Sequence, residues 1–316
     1  MSKPRKNALF AAAAAVAAAG AVLTVTHIAV AQPPADATYS GSKLCVVCHK
    51  ATHKELVEAF EKTAHPKALL KASDPGAIVA DFGEDCPVNK PDIHMVLGVG
   101  KRSQAYIGKD GKTLPGKWFV NEKRWKPLQV VDATTQCVPC HVTGYDAAKK
   151  SYNEAGVQCE ACHGPGSAHA TTGDKTRIGQ ISALPFDRQA MICGQCHSEG
   201  VSVKDPNFKH PVGMKWGDNL KDFLKLAAVK GPGMNQQYNE WLLSKHAVSE
   251  VGCTTCHEVH GKGSENVAML KKPQNALCLD CHADAVAKPS HPKVPEGVKC
   301  SLCHMPQGMH TFKMAQ

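Results

Sequence analysis

Cys159-Glu160-Ala161-Cys162-His163 sets the terms for the whole chain, because its pattern, Cys-x-x-Cys-His, occurs seven times in all. The other copies are Cys45-x-x-Cys48-His49, Cys137-x-x-Cys140-His141, Cys193-x-x-Cys196-His197, Cys253-x-x-Cys256-His257, Cys278-x-x-Cys281-His282 and Cys300-x-x-Cys303-His304. Fourteen of the fifteen cysteines are used in this way, and Cys86 alone stands apart. Paired cysteines also serve zinc ribbons and thioredoxin-like redox sites. With 17 histidines in 316 residues, a pair gains a following His by chance about one time in twenty, so seven of seven excludes coincidence. The pattern is the attachment signature of c-type haem. Its two thiols form thioethers to the porphyrin, and the adjacent imidazole lies under the ring as an iron ligand. Seven copies predict seven covalently attached haems c.

This cysteine usage excludes a disulfide framework. Only 17 residues are Phe, Tyr or Trp, which is thin for a conventional core of this length. The haems are expected to supply the missing apolar mass, and the chain without them to be largely unfolded. The expected fold is mostly α with much irregular structure, wrapped around a chain of haems. Val, Ile, Trp and Tyr between Asp92 and Val131, with Gly108-Lys109-Asp110-Gly111-Lys112 among them, predict a small β-hairpin insertion.

The formal charge of +9 does not point to nucleic acid. Residues 1–31 carry three positive charges and no acid, which leaves +6 beyond them. Two propionates per haem would bring the total to about −8 reduced and about −1 with every iron ferric.

Residues 1–31 read as a secretory signal, which makes the protein exported, to the periplasm or beyond the cell. Lys3, Arg5 and Lys6 form the charged start, Ala8 to about Val25 the apolar run, and Ala29-Val30-Ala31 the cleavage site. Ala8–Val30 is also just long enough for an uncleaved anchor, but its alanine richness, with Thr24, Thr26 and His27 near the end, favours cleavage. Beyond it, residues 32–200 are expected to form a region with the first four haems and residues 201–316 one with the last three. Helices are predicted for about Lys50–Lys71, for Leu220–Val229, and around Trp241 after the Gly231-Pro232-Gly233 break. Motifs two and three, and again six and seven, are separated by 17 residues, which predicts close neighbours. Cys86 is either a buried free thiol or a site for an intermolecular bond.

The reaction class turns on the second face of each iron. Imidazoles on both faces leave no open position, so the metal only passes electrons, whereas an open face binds and transforms a substrate. Setting aside His27 and the seven motif histidines leaves His53, His65, His94, His169, His210, His246, His260, His291 and His310. From their short Gly, Pro, Ser and Lys contexts near the motifs, His65, His169, His246, His260, His291 and His310 are the expected distal ligands. The seventh is open among His53, His94 and His210. On a helix His53 shares a face with His49 and cannot easily reach the far side of the same iron. Met214 and Met234 are the alternative axial ligands.

Cys137–Tyr145 (CVPCHVTGY), Gly156–His169 (GVQCEACHGPGSAH) and Gly252–Gly261 (GCTTCHEVHG), with the leading segment Cys45–His65, resemble the multihaem cytochromes c related to the nitrifier tetrahaem cytochrome and the hydroxylamine oxidoreductases. The resemblance covers most of residues 40–310, though only the motif regions are specific. It implies distal ligation by His169 and by His260. The chain departs from the catalytic members in having no Cys-x-x-Cys-Lys variant and in having seven motifs rather than four or eight.

The chain therefore reads as an exported heptahaem cytochrome that passes electrons in respiration. Its expected partners are redox proteins: a membrane or periplasmic donor and a periplasmic or extracellular acceptor. Two rivals differ in class. A reductase or oxidase of a small nitrogen or sulfur compound needs one five-coordinate haem. A subunit of an extracellular cytochrome filament is a homo-oligomer in which a histidine of one copy ligates a haem of the next.

Overall fold

The computed structural model describes residues 31–233, 235–264 and 268–313. The segment expected to be a secretory signal, apart from Ala31, and Met234 lie outside the described residues. Helices α1 (Ser42–Thr52), carrying the first motif, and α2 (Lys54–Lys62) are separated by a break at His53. The helix expected to continue to Lys71 instead ends at Lys62. Thr63 turns to φ −71°, ψ 175°, and its hydroxyl donates to the Phe60 carbonyl (2.8 Å). Pro66, which lacks the N–H a longer helix would use, follows close behind.

Residues 69–71 belong to a sheet. Strands β1 (Leu69–Lys71), β2 (Met95–Leu97), β3 (Ser103–Ile107), β4 (Thr113–Phe119) and β5 (Arg124–Pro127) pair antiparallel in chain order. The expected hairpin insertion is thus the larger part of a five-stranded sheet whose first strand comes from upstream. Its β3–β4 turn is the Gly108–Lys112 segment, where Gly111 sits at φ +77°. Alternation makes the sheet two-faced. Val96, Tyr106 and Trp118 pack with Ala77, Val88 and Ile93 on one side. Cys86 borders that cluster, and its thiol donates to the Val88 carbonyl (3.1 Å). Leu69, Leu97 and Ile107 pack on the other side against Ala133, Val138 and Val142. Those three belong to α3 (Ala133–Gln136), α4 (Val138–His141) and the first residue of β6 (Val142–Asp146), so the sheet is the seat of the second motif.

Strand β6 forms a hairpin with β7 (Ser151–Ala155), after which come α5 (Cys159–His163), holding the third motif, and α6 (Ser167–Thr172). Helix α7 (Phe186–Gly194) leads into the fourth motif. The predicted helix over Leu220–Val229 is not formed. A 3-10 turn over Leu220–Asp222, capped by the Asn219 side chain, is followed by β9 (Leu224–Leu226), which pairs with β8 (Gly200–Ser202). Leu224 is buried and Lys225 exposed, an alternation that a short apolar run does not separate from helical spacing. The remaining helices are α8 (Gln237–Leu242), α9 (Lys245–Val248), α10 (Cys253–Cys256), α11 (Gln274–Val286) and α12 (Cys300–His304). A third core cluster of Ala190, Met191, Leu220, Leu224, Tyr238 and Trp241 ties α7, before residue 200, to β9 and α8 after it.

Candidate functional site

Each motif lies in or at the end of a helix, and six of the seven histidines lie in that helix or directly after it, whereas His197 follows the last residue of α7, Gly194, by three positions. Six of the seven motif histidines have a second histidine ring beside them. Ring centroids are 6.1 Å apart for His49 and His169, and 6.2 Å for His197 and His65. They are 6.2 Å apart for His163 and His260, and 6.2 Å for His257 and His310. The last two pairs, His282 with His246 and His304 with His291, stand at 6.0 and 6.3 Å. Two metal bonds of about 2 Å, with roughly 1 Å from each bonding nitrogen to its ring centre, set two imidazoles about 6 Å apart across one metal. The donor set and its spacing fit a bis-imidazole iron.

The outward nitrogens are arranged to match. The Nδ1 atoms of His163, His169, His257 and His291 lie 2.8, 3.0, 2.6 and 2.8 Å from the backbone carbonyls of Gly179, Asp174, Ala268 and Pro292. A carbonyl only accepts, so each Nδ1 carries the proton and Nε2 keeps the lone pair that binds a metal. Burial keeps several rings neutral, as ligation requires. Burial first, then the neighbouring His197, pushes His65 down to about 4. Burial is likewise the main cause lowering His49, His163, His197, His246 and His310.

One continuous cavity of about 3620 Å³ is lined by residues of all seven motifs and by the six partner histidines. Shared equally, that is about 520 Å³ per motif, within the range of a single cofactor pocket. Neighbouring motifs meet thiol to thiol: Cys45 with Cys159, Cys140 with Cys196, Cys193 with Cys253, and Cys278 with Cys300. Motifs six and seven meet across their 17-residue interval, and the second motif also meets the fourth, and the third the first.

His141 is the exception. Its Nδ1 lies 2.9 Å from the Ala68 carbonyl, yet among the described residues no histidine ring stands opposite it at the spacing of the other six. Of the three open candidates, His94 is exposed and does not line the cavity. His53 is exposed at the α1–α2 break, 5.5 Å from His49. His210 lines the cavity and comes nearest the second motif. One of its ring nitrogens and the thiols of Cys140 and Cys196 lie within 4.8 Å of one another, at the junction of the second and fourth motifs. Met214 also lines the cavity.

Sequence reasoning passed over Glu160, although a carboxylate between two motif cysteines is itself a signal. Glu160 is 2% exposed. It accepts from the backbone N–H groups of Ser40 (2.9 Å), Gly41 (2.7 Å) and Gly166 (2.6 Å), fastening the entry to the first motif onto the third.

Two family models match. One described as cytochrome c554 and c-prime covers residues 112–164, and one described as a doubled CXXCH motif covers residues 246–287. The multiheme cytochrome MtrA of Shewanella baltica is 28% identical over 163 residues, 50% of this chain and 38% of MtrA. The dissimilatory sulfite reductase MccA of Wolinella succinogenes is 24% identical over 233 residues, 63% of this chain and 31% of MccA. This chain thus spans well under half the length of both curated relatives. Among solved structures, the outer cell wall cytochrome OcwA shares the fold with a TM-score of 0.70 at 24% identity, covering 87% of this chain and 79% of OcwA. No helix among the described residues is long and apolar enough to cross a membrane.

Proposed function

Since this chain belongs to the multihaem cytochromes c, we propose that it holds seven haems c and passes electrons along them between redox partner proteins. The observation that carries this is the set of six imidazole pairs at 6.0–6.3 Å around one continuous cavity. The thiols of the seven motifs would anchor the haems. His49, His141, His163, His197, His257, His282 and His304 would ligate one face, and His65, His169, His246, His260, His291 and His310 the other. When bound, haem iron cycles between ferric and ferrous states and so carries one electron at a time. The chain's own work is to fix several imidazoles by Nδ1 hydrogen bonds to backbone carbonyls, to keep others neutral by burial and to hold the cysteines of adjacent motifs close together. The protein is exported and works in respiration, in keeping with the cell-wall setting named for OcwA.

His141 favours a second reading for one centre. An iron there would have no second histidine among the described residues and would offer a face to a small nitrogen or sulfur compound; MccA is named for reducing one such sulfur compound, sulfite. Haem counting by intact mass, with EPR of the oxidised protein, tests both. Seven haems with every iron low-spin leave an electron carrier alone. One high-spin iron that binds an added ligand selects the second reading. Fewer than seven haems, or several high-spin irons, overturns the ligand assignment.

A further inference from the structure

Glu240 is a charged side chain that haem attachment and ligation leave without a task. It lies on α8, 2% exposed. Its carboxylate meets donors: Gln236 Nε2 donates to Oε1 (2.8 Å), and the backbone N–H of His310 donates to Oε2 (2.7 Å). Both carboxylate oxygens therefore accept hydrogen bonds. The same Oε2 lies 3.8 Å from Nδ1 of His310, a buried atom with no hydrogen-bond partner of its own. His310 is the ring paired with His257 of the fifth motif.

Four of the other five partner histidines differ. His169 and His291 meet neutral carbonyls through Nδ1. His260 lies 3.5 Å from Glu258, but both side chains are about a third exposed, so water screens the pair. His246 has a buried Nδ1 without a hydrogen bond and packs on the Phe312 ring.

Resting on the ligand assignment above, we propose that Glu240 is a tuning residue that gives the haem of the fifth motif the lowest reduction potential of the seven. A negative charge beside an axial imidazole raises ligand basicity and favours ferric over ferrous iron. Burial leaves that charge little screened. The placement matters. The fifth motif meets the fourth through Cys253 and Cys193, and its Cys256 stands near Cys281 of the sixth. The lowest-potential centre then stands between the first four motifs and the last two. Electrons settle on either side of it and cross it only in passing, which divides the protein into two reservoirs.

Potentiometric titration of the holoprotein, followed by visible and EPR spectra, tests this in Glu240→Gln and Glu240→Asp. The Gln variant should raise the lowest midpoint by about tenfold in its reduction equilibrium, about 59 mV for one electron. The other midpoints should stay in place and the low-spin signals intact. The Asp variant keeps the charge and should leave the lowest midpoint near the parent's. An unmoved lowest midpoint in the Gln variant, or equal shifts in both variants, overturns the proposal. His310→Ala, run alongside, should turn one low-spin iron high-spin. If it changes no spin state, the ligand assignment fails and the proposal fails with it.

Discussion

His163 and His260 stack with their ring planes 13° apart and their centroids 6.2 Å apart, although one comes from the third motif and the other follows the fifth. The pair clasps the two halves of the chain across what we take to be one iron. Its contribution to stability therefore depends on bound metal, as in small domains that fold only around their metal.

Replacing His260 by Ala should leave seven haems attached, because no thiol is touched, and convert one iron from low to high spin. Retention of all low-spin signals in the EPR spectrum would remove His260 from the ligand set.

The second motif should behave unlike the rest. Carbon monoxide added to the reduced parent protein is expected to bind about one site per chain, counted by the change in the Soret band. His210→Ala should leave that count unchanged, since His210 lies beside the Cys140 and Cys196 thiols and not opposite His141. Loss of low-spin signal in that variant would instead show that His210 reaches the iron.

Gly156→Ala should damage the seat of His65. Gly156 sits at φ +80°, and a Cβ there would meet the Pro66 carbonyl oxygen at 2.1 Å, a contact that requires backbone to move. The next residue, Val157, donates its N–H to the His65 carbonyl (2.8 Å). The expected cost is about 2–3 kcal/mol in denaturant unfolding, with weakened low-spin character at one haem.

Acid should destabilise the protein in a defined window. His65 has a folded pKa of about 4 against an ordinary 6.5, because burial and then His197 disfavour its charge. Between those values the unfolded chain binds the extra proton, so stability is full above pH 6.5 and falls as pH drops toward 4. For this one group the loss is about 3 kcal/mol by the bottom of the window, and iron ligation would enlarge it. Denaturant midpoints measured between pH 7.5 and 4.5 should slope downward toward acid, and His65→Asn should flatten the slope.

The motif histidines were legible because a fixed offset from two cysteines marks them. His65, His169, His246, His260, His291 and His310, expected as distal ligands, are the residues the fold brings beside motif histidines. Which meets which was not legible: His65 meets His197 and His246 meets His282 through long-range folding that no local pattern records. The β3–β4 turn showed in its glycines. Strands β1 and β2 did not, because three residues carry too little periodicity. Cavity shape adds what composition lacks, with His94 outside, His53 and His210 on the lining, and His210 between two motifs. Glu160 and Glu240 were invisible as individuals, since burial of a carboxylate depends on neighbours supplied from elsewhere in the chain.

The clasp made by Glu160 has a bearing on biogenesis. A chain made N-terminus first presents Ser40 and Gly41 long before their acceptor follows. Until then the entry to the first motif lacks its Glu160 anchor. Arrival of the third motif closes the clasp, so the first motif takes its final seat only after the third is made.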